Sequence, residues 1–404
     1  MREIPLSKPN LGADIVENLR ECVETGWVST GGRFISEFEA AVAACAGVED
    51  AVACQSGTAG LHTALRILGV GPGDAVLAPT LTFIAAVNPV RYLGAEPIFM
   101  DCDEHFCMDA AKLADFCANE CRRDARGRLF DKVTGRRVAA VVVVHVFGDL
   151  ADMEGILRVA RAYGLKVLED ATEAIGSRYA AGRYKGRYAG TVGDMGVYSF
   201  NANKIITTGG GGMILAGGRG AAARARLARA RYLTTTAKDD GLRFIHGDVG
   251  YNYRMLNLQA ALGVSQIKEL ERFIAIKTEN FARYAERLAG AKGLRLLPFR
   301  ADIRANHWFY ALEVEEAAFG MSRDALLAAL NARGIQCRPV WRLCHRQKPY
   351  KKARRHRIRR ALHYEKTVLN LPCSTDLRPE DIDCICGAIA SLGRGNARNA
   401  RQPR

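Results

Sequence analysis

Two residues with chemically reactive side chains follow separate strand-like segments of the chain. Lys204 comes shortly after Ser199 and precedes a glycine run at 209–212, while Asp170 directly follows the segment 166–169. A lysine amine forms a Schiff base with an aldehyde cofactor, and a facing carboxylate keeps the ring nitrogen of that cofactor protonated. The pattern therefore predicts a pyridoxal phosphate site with Lys204 and Asp170 as its catalytic residues.

A turn of small residues and an aromatic ring are suited to hold the rest of such a cofactor. In the segment 55–61 a strand gives way to a helix, whose positive end attracts phosphate. The backbone N–H groups predicted to be free there belong to Gly57, Thr58 and Ala59. The Ser199 hydroxyl adds a phosphate contact, and Phe83 can stack on the pyridine. An ordinary helix cap or a core phenylalanine would give the same sequence pattern, so these assignments depend on the presence of Lys204.

Apolar segments alternate with helical ones along the first part of the chain, which is typical of an α/β fold with a mostly parallel sheet covered on both faces. The seven predicted strands are 51–54, 75–78, 96–100, 138–144, 166–169, 196–199 and 212–215. The predicted helices between them are 57–68, 82–92, 110–117 and 153–163. Turn signals at Gly127 and Gly135 predict that 122–137 is an inserted surface hairpin outside the sheet.

The pattern changes after Tyr253. A long helical segment at 256–288 leads into mixed helices and short strands that end in a helix at 379–392. We therefore predict a large cofactor-binding domain over 1–255, followed by a connecting helix and a smaller α+β domain over 256–392. Residues 393–404 are predicted to be a disordered basic tail.

A formal net charge of +15 on 404 residues raises nucleic acid as a partner. No nucleic-acid-binding motif accompanies the basic clusters at 122–137, 219–231, 348–360 and 394–404. We therefore expect no nucleic-acid partner, and basic faces that are solvated or suit a diphosphate substrate. The longest apolar run, 138–147, is too short to cross a bilayer, so no membrane association is expected.

The cysteines and the N-terminus indicate the compartment. None of the 12 cysteines has the spacing of a zinc site, and the first residues lack an apolar signal core. We expect reduced thiols in a cytoplasmic protein, and no metal.

Six blocks occur in the order found in the pyridoxal-phosphate-dependent nucleotide-sugar aminotransferases of fold type I. The blocks are Ser56-Gly57-Thr58, Pro79-Thr80-Leu81-Thr82-Phe83, Val144-His145-Val146-Phe147-Gly148, Glu169-Asp170-Ala171-Thr172-Glu173, Ser199-Phe200 to Lys204, and Gly250-Tyr251-Asn252-Tyr253-Arg254-Met255. The chain resembles this family from Pro5 to Pro372. The resemblance implies that family's fold, with the seven-stranded sheet in the large domain.

Position by position, the resemblance implies a role for each matching residue. Lys204 would form the Schiff base, Asp170 would pair with the ring nitrogen, and Phe83 would stack on the ring. The phosphate contacts would come from Gly57, Thr58 and Ser199. Glu173 would lie near the ring hydroxyl, and Asn252 would reach the phosphate of the neighbouring subunit. Each active site would therefore need a homodimer.

Within the family, the chain is most similar to the 4-aminotransferases of the legionaminic acid and bacillosamine pathways. The similarity lies in 25–29, in the end of the hairpin at 134–137, and in 201–209. It implies amination, with glutamate as donor, of a UDP-linked 4-keto-6-deoxy-N-acetylhexosamine at C4, for surface polysaccharide or glycan biosynthesis. Ping-pong kinetics should result.

Other functions are weighed against this one. Amination at C3 of a dTDP-linked keto sugar stays open, whereas related 3-dehydratases have histidine in place of the lysine. A nicotinamide-linked dehydrogenase would need G-x-G-x-x-G after the first strand, which is missing. A non-catalytic pyridoxal-phosphate-binding regulator that binds DNA is the alternative outside enzymology.

One departure from the family pattern lies close to the lysine. Many relatives have an acidic residue where this chain has Gly210, which we interpret as a mark of a subgroup. Substrate diphosphate contacts are predicted for Arg254, Arg338 and His345.

Overall fold

The computed structural model describes residues 3–393, which are organised around a ten-stranded sheet. The strands are β1 Val52–Cys54, β2 Asp74–Pro79, β3 Glu96–Met100, β4 Cys121–Arg123, β5 Leu129–Asp131, β6 Arg137–Val144, β7 Lys166–Asp170, β8 Arg178–Tyr179, β9 Met195–Ser199, β10 Gly212–Ala216, β11 Lys238–Asp240, β12 Ile245–His246, β13 Leu294–Leu296, β14 Ile303–Arg304, β15 Tyr310–Val314, β16 Arg338–Pro339, β17 Arg355–His356 and β18 Val368–Leu371. The α-helices are α1 Asp14–Glu24, α2 Arg33–Ala46, α3 Gly57–Ile67, α4 Asn88–Tyr92, α5 Ala110–Asp115, α6 Met153–Tyr163, α7 Ala221–Thr234, α8 Asn257–Lys268, α9 Leu270–Arg287, α10 Glu316–Phe319, α11 Arg323–Ala332, α12 Arg360–Thr367 and α13 Pro379–Leu392.

The main sheet has the order β1-β10-β9-β7-β6-β2-β3-β17. Strands β9, β7, β6, β2, β3 and β17 run parallel to one another, whereas β10 is antiparallel to both β1 and β9. The central strands are buried along almost their whole length, as expected for strands covered on both faces. The prediction of a mostly parallel α/β sheet is confirmed, and its seven strands are the neighbours from β1 to β3.

Three further strands extend the sheet beyond the prediction. The hairpin of β4 and β5 joins β6 through the pair Phe130 and Arg137, so the prediction that 122–137 lies outside the sheet is wrong. Strand β17 pairs in parallel with β3, placing Arg355 opposite Phe99. Because β17 consists of two polar residues, its pairing depends on the backbone at a sheet edge, which an apolar pattern does not reveal.

Two predicted helices are interrupted. In place of a helix over 82–92, a 3₁₀ turn at Ile84–Ala86 precedes the short helix α4, near whose start Pro89 lacks the N–H of a regular helix. The predicted segment 256–288 consists of α8 and α9, separated at Glu269, where φ is −90° and ψ is −8°. Among residues 3–393, no helix is both long enough and apolar enough to span a bilayer.

A second, antiparallel sheet has the order β13-β15-β18-β16 and lies in the C-terminal part of the chain. Helices α9 and α13 pack against each other beside it. The division into domains at residue 255 stays a prediction, since β14 pairs with β8 and β17 pairs with β3 across it. The predicted basic tail lies, apart from Gly393, outside the described residues.

Candidate active site

A cavity of ≈340 Å³ opens at the carboxyl ends of β7 and β9, where α3 begins. Ligand sites of open α/β sheets lie at this edge because the loops after parallel strands meet there. The predicted site residues that line the cavity are Gly57, Thr58, Phe83, Asp170, Glu173, Ser199 and Lys204. The fold therefore brings together residues that are up to 147 positions apart, from position 57 to position 204.

Lys204 lies in the loop after β9, with its amine inside the cavity. Its backbone N–H donates to the Asn201 carbonyl at 2.9 Å, which holds the turn around the lysine. Within residues 3–393 the amine has no hydrogen-bond acceptor, and its charged partners are the carboxylates of Glu173 and Asp170. Burial lowers the pKa of Lys204, and the two carboxylates oppose that shift. A lysine with a lowered pKa is a better nucleophile and a better base near neutral pH.

Asp170 is the last residue of β7 and is 3% exposed. One carboxylate oxygen accepts the backbone N–H of Thr172 at 3.1 Å. Burial raises the pKa of this carboxyl group, against the stabilising charge of Lys204. Among the described residues no arginine, lysine or histidine forms an ion pair with Asp170, so a bound cation would lower its pKa and be stabilised in return.

His145 supports the end of β7 from the neighbouring strand. Its backbone N–H donates to the Asp170 carbonyl at 3.1 Å. Its ring Nδ1 accepts the N–H of Ala151, so the proton lies on Nε2, which donates to Glu169 at 2.8 Å. These bonds fix the position from which Asp170 faces the cavity.

Glu173 is the second buried acid of the site and is 3% exposed. Its carboxylate accepts the backbone N–H of Phe147 at 2.8 Å. Burial raises the pKa of Glu173, while the Lys204 charge acts in the opposite direction. A carboxyl group can bind a hydroxyl group with or without its own proton.

The start of α3 forms a cradle for an anion. The Ser56 side chain caps the helix by accepting the N–H of Ala59 at 3.1 Å. Ala59 therefore does not offer the free N–H that its position in the sequence predicts, whereas Gly57 and Thr58 have no acceptor within the helix. Ser199 lies directly opposite, because a Cβ at Gly57 would come within 2.9 Å of the Ser199 Cβ.

We expect Gly57→Ala to weaken cofactor binding roughly tenfold to a hundredfold, because overpacking of this kind costs about 1–3 kcal/mol. The added methyl group would meet Ser199 at 2.9 Å and Thr172 at 3.1 Å. Gly71→Ala is the matched control, since a Cβ there has no neighbour within 4 Å. Titration of cofactor-free protein with pyridoxal phosphate measures the difference, and equal dissociation constants for the two variants would contradict the cradle.

Aromatic side chains border the cavity. The Phe83 side chain is 55% exposed at the cavity wall, which argues against a plain core role. On the opposite side lie Trp308, Phe309 and Trp341, which the sequence reasoning did not identify. Trp308 and Phe309 are stacked, with centroids 4.0 Å apart. The run of three aromatic residues at 308–310, just before β15, was the signal that could have indicated them.

Four predicted site residues do not reach the cavity of their own chain. Asn252 is exposed and forms a β-bridge with Thr235. Arg254 pairs with the buried Glu39 at 2.5 Å and donates to the Ala53 carbonyl, so it holds β1 in place.

The other two are Arg338 and His345. Arg338 is exposed in β16, and His345 is 7% exposed with Nδ1 2.6 Å from the Thr80 hydroxyl. Their assignments as substrate contacts stay predictions that this arrangement does not favour.

Gly210, where the family resemblance leads us to expect an acidic residue, lines the cavity. A Cβ there would lie 3.1 Å from Nε2 of Gln259. The flanking Gly209 and Gly211 have φ values of 77° and 109°, which favour glycine. The cavity is therefore more open on this side than an acidic residue would leave it.

The groups of the cavity fit pyridoxal phosphate. Among residues 3–393, a partly buried amine without a hydrogen-bond acceptor, a buried carboxylate without an ion-pair partner and a helix start whose first N–H groups have no acceptor within the helix each match one part of that molecule. The aldehyde, the protonated ring nitrogen and the phosphate are those parts.

Comparison with known proteins agrees with this fit. The sequence profile of the DegT/DnrJ/EryC1/StrS aminotransferase family matches residues 9–390. The GDP-perosamine synthase of Caulobacter vibrioides is 36% identical over 96% of this chain and 97% of its own length. The spore coat polysaccharide biosynthesis protein SpsC of Bacillus subtilis is 32% identical over 97% of both chains. The crystal structure of DesI with its TDP-sugar product matches with a TM-score of 0.85 and 28% identity, over 99% of this chain and 96% of that one.

Proposed function

The chain belongs to the DegT/DnrJ/EryC1/StrS aminotransferase family, and within it we propose that the protein transfers the amino group of glutamate to C4 of a UDP-linked 4-keto-6-deoxy-N-acetylhexosamine. The protein is a pyridoxal-phosphate-dependent nucleotide-sugar aminotransferase of polysaccharide biosynthesis. The observation that supports the reaction is the partly buried Lys204 amine in one cavity with the carboxylates of Asp170 and Glu173.

Several residues of the cavity have a part in this reaction. Bound pyridoxal phosphate supplies an aldehyde that exchanges amines and a ring that withdraws electrons from the carbon losing its proton. The start of α3 with Ser199 binds phosphate, and Asp170 keeps its negative charge next to a cationic ring nitrogen. The Lys204 amine takes a proton from one carbon and returns it to another, as its lowered pKa permits. The aromatic wall of Trp308 and Phe309 excludes water from this side.

The choice of nucleotide depends on sequence similarity. Segments 25–29 and 201–209 support a UDP-linked substrate, as in the 4-aminotransferases that they resemble. A GDP-linked keto sugar is the second candidate, because a GDP-perosamine synthase is 36% identical to this chain over almost its whole length.

Half-reactions with separate substrates test the proposal. We expect glutamate alone to remove the visible absorbance of the yellow holoenzyme and to release one equivalent of 2-oxoglutarate. A panel of UDP-, GDP- and dTDP-linked 4-keto sugars is then added singly, and the sugar that restores the absorbance identifies the substrate. Product analysis locates the new amine at C4 or C3. If glutamate leaves the spectrum unchanged and no keto sugar is aminated, the proposed reaction is wrong.

We also propose that the enzyme is a homodimer in which Asn252 contributes to the phosphate site of the partner. Two observations support this proposal. Asn252 is exposed although it belongs to a block that the chain shares with the family, and it does not line the cavity of its own chain. Next to it, Tyr251 and Tyr253 stack at 4.9 Å beside His62 of α3, close to the cradle. An interface there would cover this aromatic surface.

Mixed dimers test that arrangement. We expect Lys204→Ala and Asn252→Ala homodimers to be nearly inactive, since one lacks the amine and the other lacks a phosphate contact. In a heterodimer of the two, one site would have Lys204 from one chain and Asn252 from the other, both unchanged. Purified heterodimers should therefore recover about half of the wild-type activity, as one of two sites is intact. Inactive heterodimers would place Asn252 in its own site, and an active Asn252→Ala homodimer would place it outside any site.

A further inference from the structure

Trp308 presents its ring face to the catalytic lysine. The Lys204 amine lies 3.9 Å from the centroid of the Trp308 ring, close enough for a cation–π contact. We propose that Trp308 is a positioning residue whose indole face holds the Lys204 ammonium in the cavity whenever that lysine has no covalent bond. The inference rests on the proposed function, in which Lys204 is released and then moves a proton.

Trp308 is held in place by three hydrogen bonds, two of its backbone and one of its indole. The backbone N–H of Trp308 donates to Oδ1 of Asn306 at 3.0 Å, and its carbonyl accepts from the Lys277 amine at 3.2 Å. The indole N–H donates to the carbonyl of Asn203, the residue before Lys204, at 2.8 Å. Trp308 is 3% exposed and stacks on Phe309. A ring held in this way presents a fixed surface.

Asn306 links this ring to the acid of the site. The amide is fully buried and donates to the carbonyls of Glu173 and Ile175, both at 2.9 Å. The approach of Gly148 to Asn306 leaves no room for a side chain, because a Cβ there would overlap Oδ1. Asn306 therefore connects the backbone of Trp308 to the backbone of Glu173.

The charged groups around the amine are few. Glu173 and Asp170 face Lys204, and His145 lies behind Asp170. Lys277 lies behind Trp308, is 3% exposed, and bonds to the carbonyls of Trp308 and Cys373. Burial alone would favour a neutral Lys204, and a ring face offsets part of that effect by stabilising the ammonium.

The variants Trp308→Phe and Trp308→Leu isolate the contribution of the ring face. Both lose the indole N–H bond to Asn203 and leave spaces of similar size, but only phenylalanine keeps an aromatic face. A cation–π contact of about 1–2 kcal/mol corresponds to roughly one pH unit in the titration of Lys204. The leucine variant should therefore titrate about one unit below the phenylalanine variant, because it stabilises the ammonium less.

Competitive acylation of the full-length, cofactor-free protein measures this titration. Only the neutral amine displaces the leaving group of the reagent and gives its proton to solvent, so the labelling rate follows the neutral fraction. Below the midpoint we expect Lys204 to be labelled about tenfold faster in Trp308→Leu than in Trp308→Phe, as quantified by peptide mass spectrometry. Phe244→Leu removes an exposed ring 5.1 Å from the Lys238 amine, outside the cavity, and should keep the wild-type midpoint of Lys204. Equal midpoints for the two Trp308 variants would overturn the inference.

A second measurement leaves Trp308 unchanged. The chain has three tryptophans, so Trp27→Phe with Trp341→Phe makes Trp308 the single emitter. Its emission should change with pH at the midpoint found by acylation, and adding Lys204→Met should abolish that change. Emission that does not titrate, or that titrates without Lys204, would overturn the inference. Neither measurement involves a sugar, so each can fail while the half-reaction with glutamate succeeds, and the reverse also holds.

Discussion

Lys204→Ala should lack the aldimine absorbance of the wild type, with transamination reduced on the order of 10³-fold or more, since nucleophile and proton carrier are lost together. No other lysine lines the cavity among the described residues. Absorbance of cofactor-saturated protein and steady-state release of 2-oxoglutarate measure the two losses. Borohydride reduction of the wild type should attach the cofactor to the peptide that contains Lys204.

Two further variants separate charge from chemistry. Lys204→Arg keeps a positive charge near Glu173 but cannot condense with an aldehyde at neutral pH, so it should be as inactive as Lys204→Ala. Lys185→Ala removes an exposed lysine elsewhere and should match the wild type. A Lys204→Ala enzyme with aldimine absorbance and activity would show that another amine performs the reaction.

The parts of the fold that could be predicted are those with a strong local pattern. The seven strands from β1 to β3 are short apolar runs, and burial on both faces requires such runs. Strand β17 was not predictable in this way, because Arg355 and His356 are polar and their pairing with β3 uses only the backbone. Helix α3 was predicted to within one residue, since Ser56 and Gly57 mark its start.

The site residues that could be predicted are those whose residue type rarely has a purely structural role at that place in the fold. Lys204 and Asp170 follow strands that end at one edge of the sheet, so the topology brings them together. Trp308 was missed because an aromatic residue before a buried strand is most often part of a core.

Arg254 shows the limit of such reasoning. Its partner Glu39 lies 215 positions away in the sequence, so no local pattern distinguishes a buried ion pair from a substrate contact. Within the fold the two side chains are 14% and 8% exposed, and Arg231 also bonds to Glu39. Removal of one partner from such a buried pair strongly lowers the stability of the fold, so Arg254 has a structural role whatever the substrate is.

Asp170→Asn should reduce turnover about 10²- to 10³-fold while the protein still binds pyridoxal phosphate. Asparagine has nearly the same volume and keeps an oxygen that can accept the Thr172 N–H, so the change removes mainly the negative charge. Without that charge the ring nitrogen is no longer kept protonated, and the ring withdraws electrons less well. The Lys204 pKa should fall further, because Asp170 is one of two carboxylates that raise it.

The matched control is Asp74→Asn, at the opposite end of the sheet. Asp74 is 7% exposed at the start of β2 and bonds to Arg137 at 2.6 Å, so its loss should lower stability without slowing turnover. Single-turnover rates with glutamate measure the effect of each variant on the reaction. Urea unfolding measures its effect on the free energy of unfolding. If Asp170→Asn reacts with glutamate as fast as Asp74→Asn does, the charge of Asp170 is not needed for proton removal. Its position at the end of β7 would then be explained by the bond to Thr172 alone.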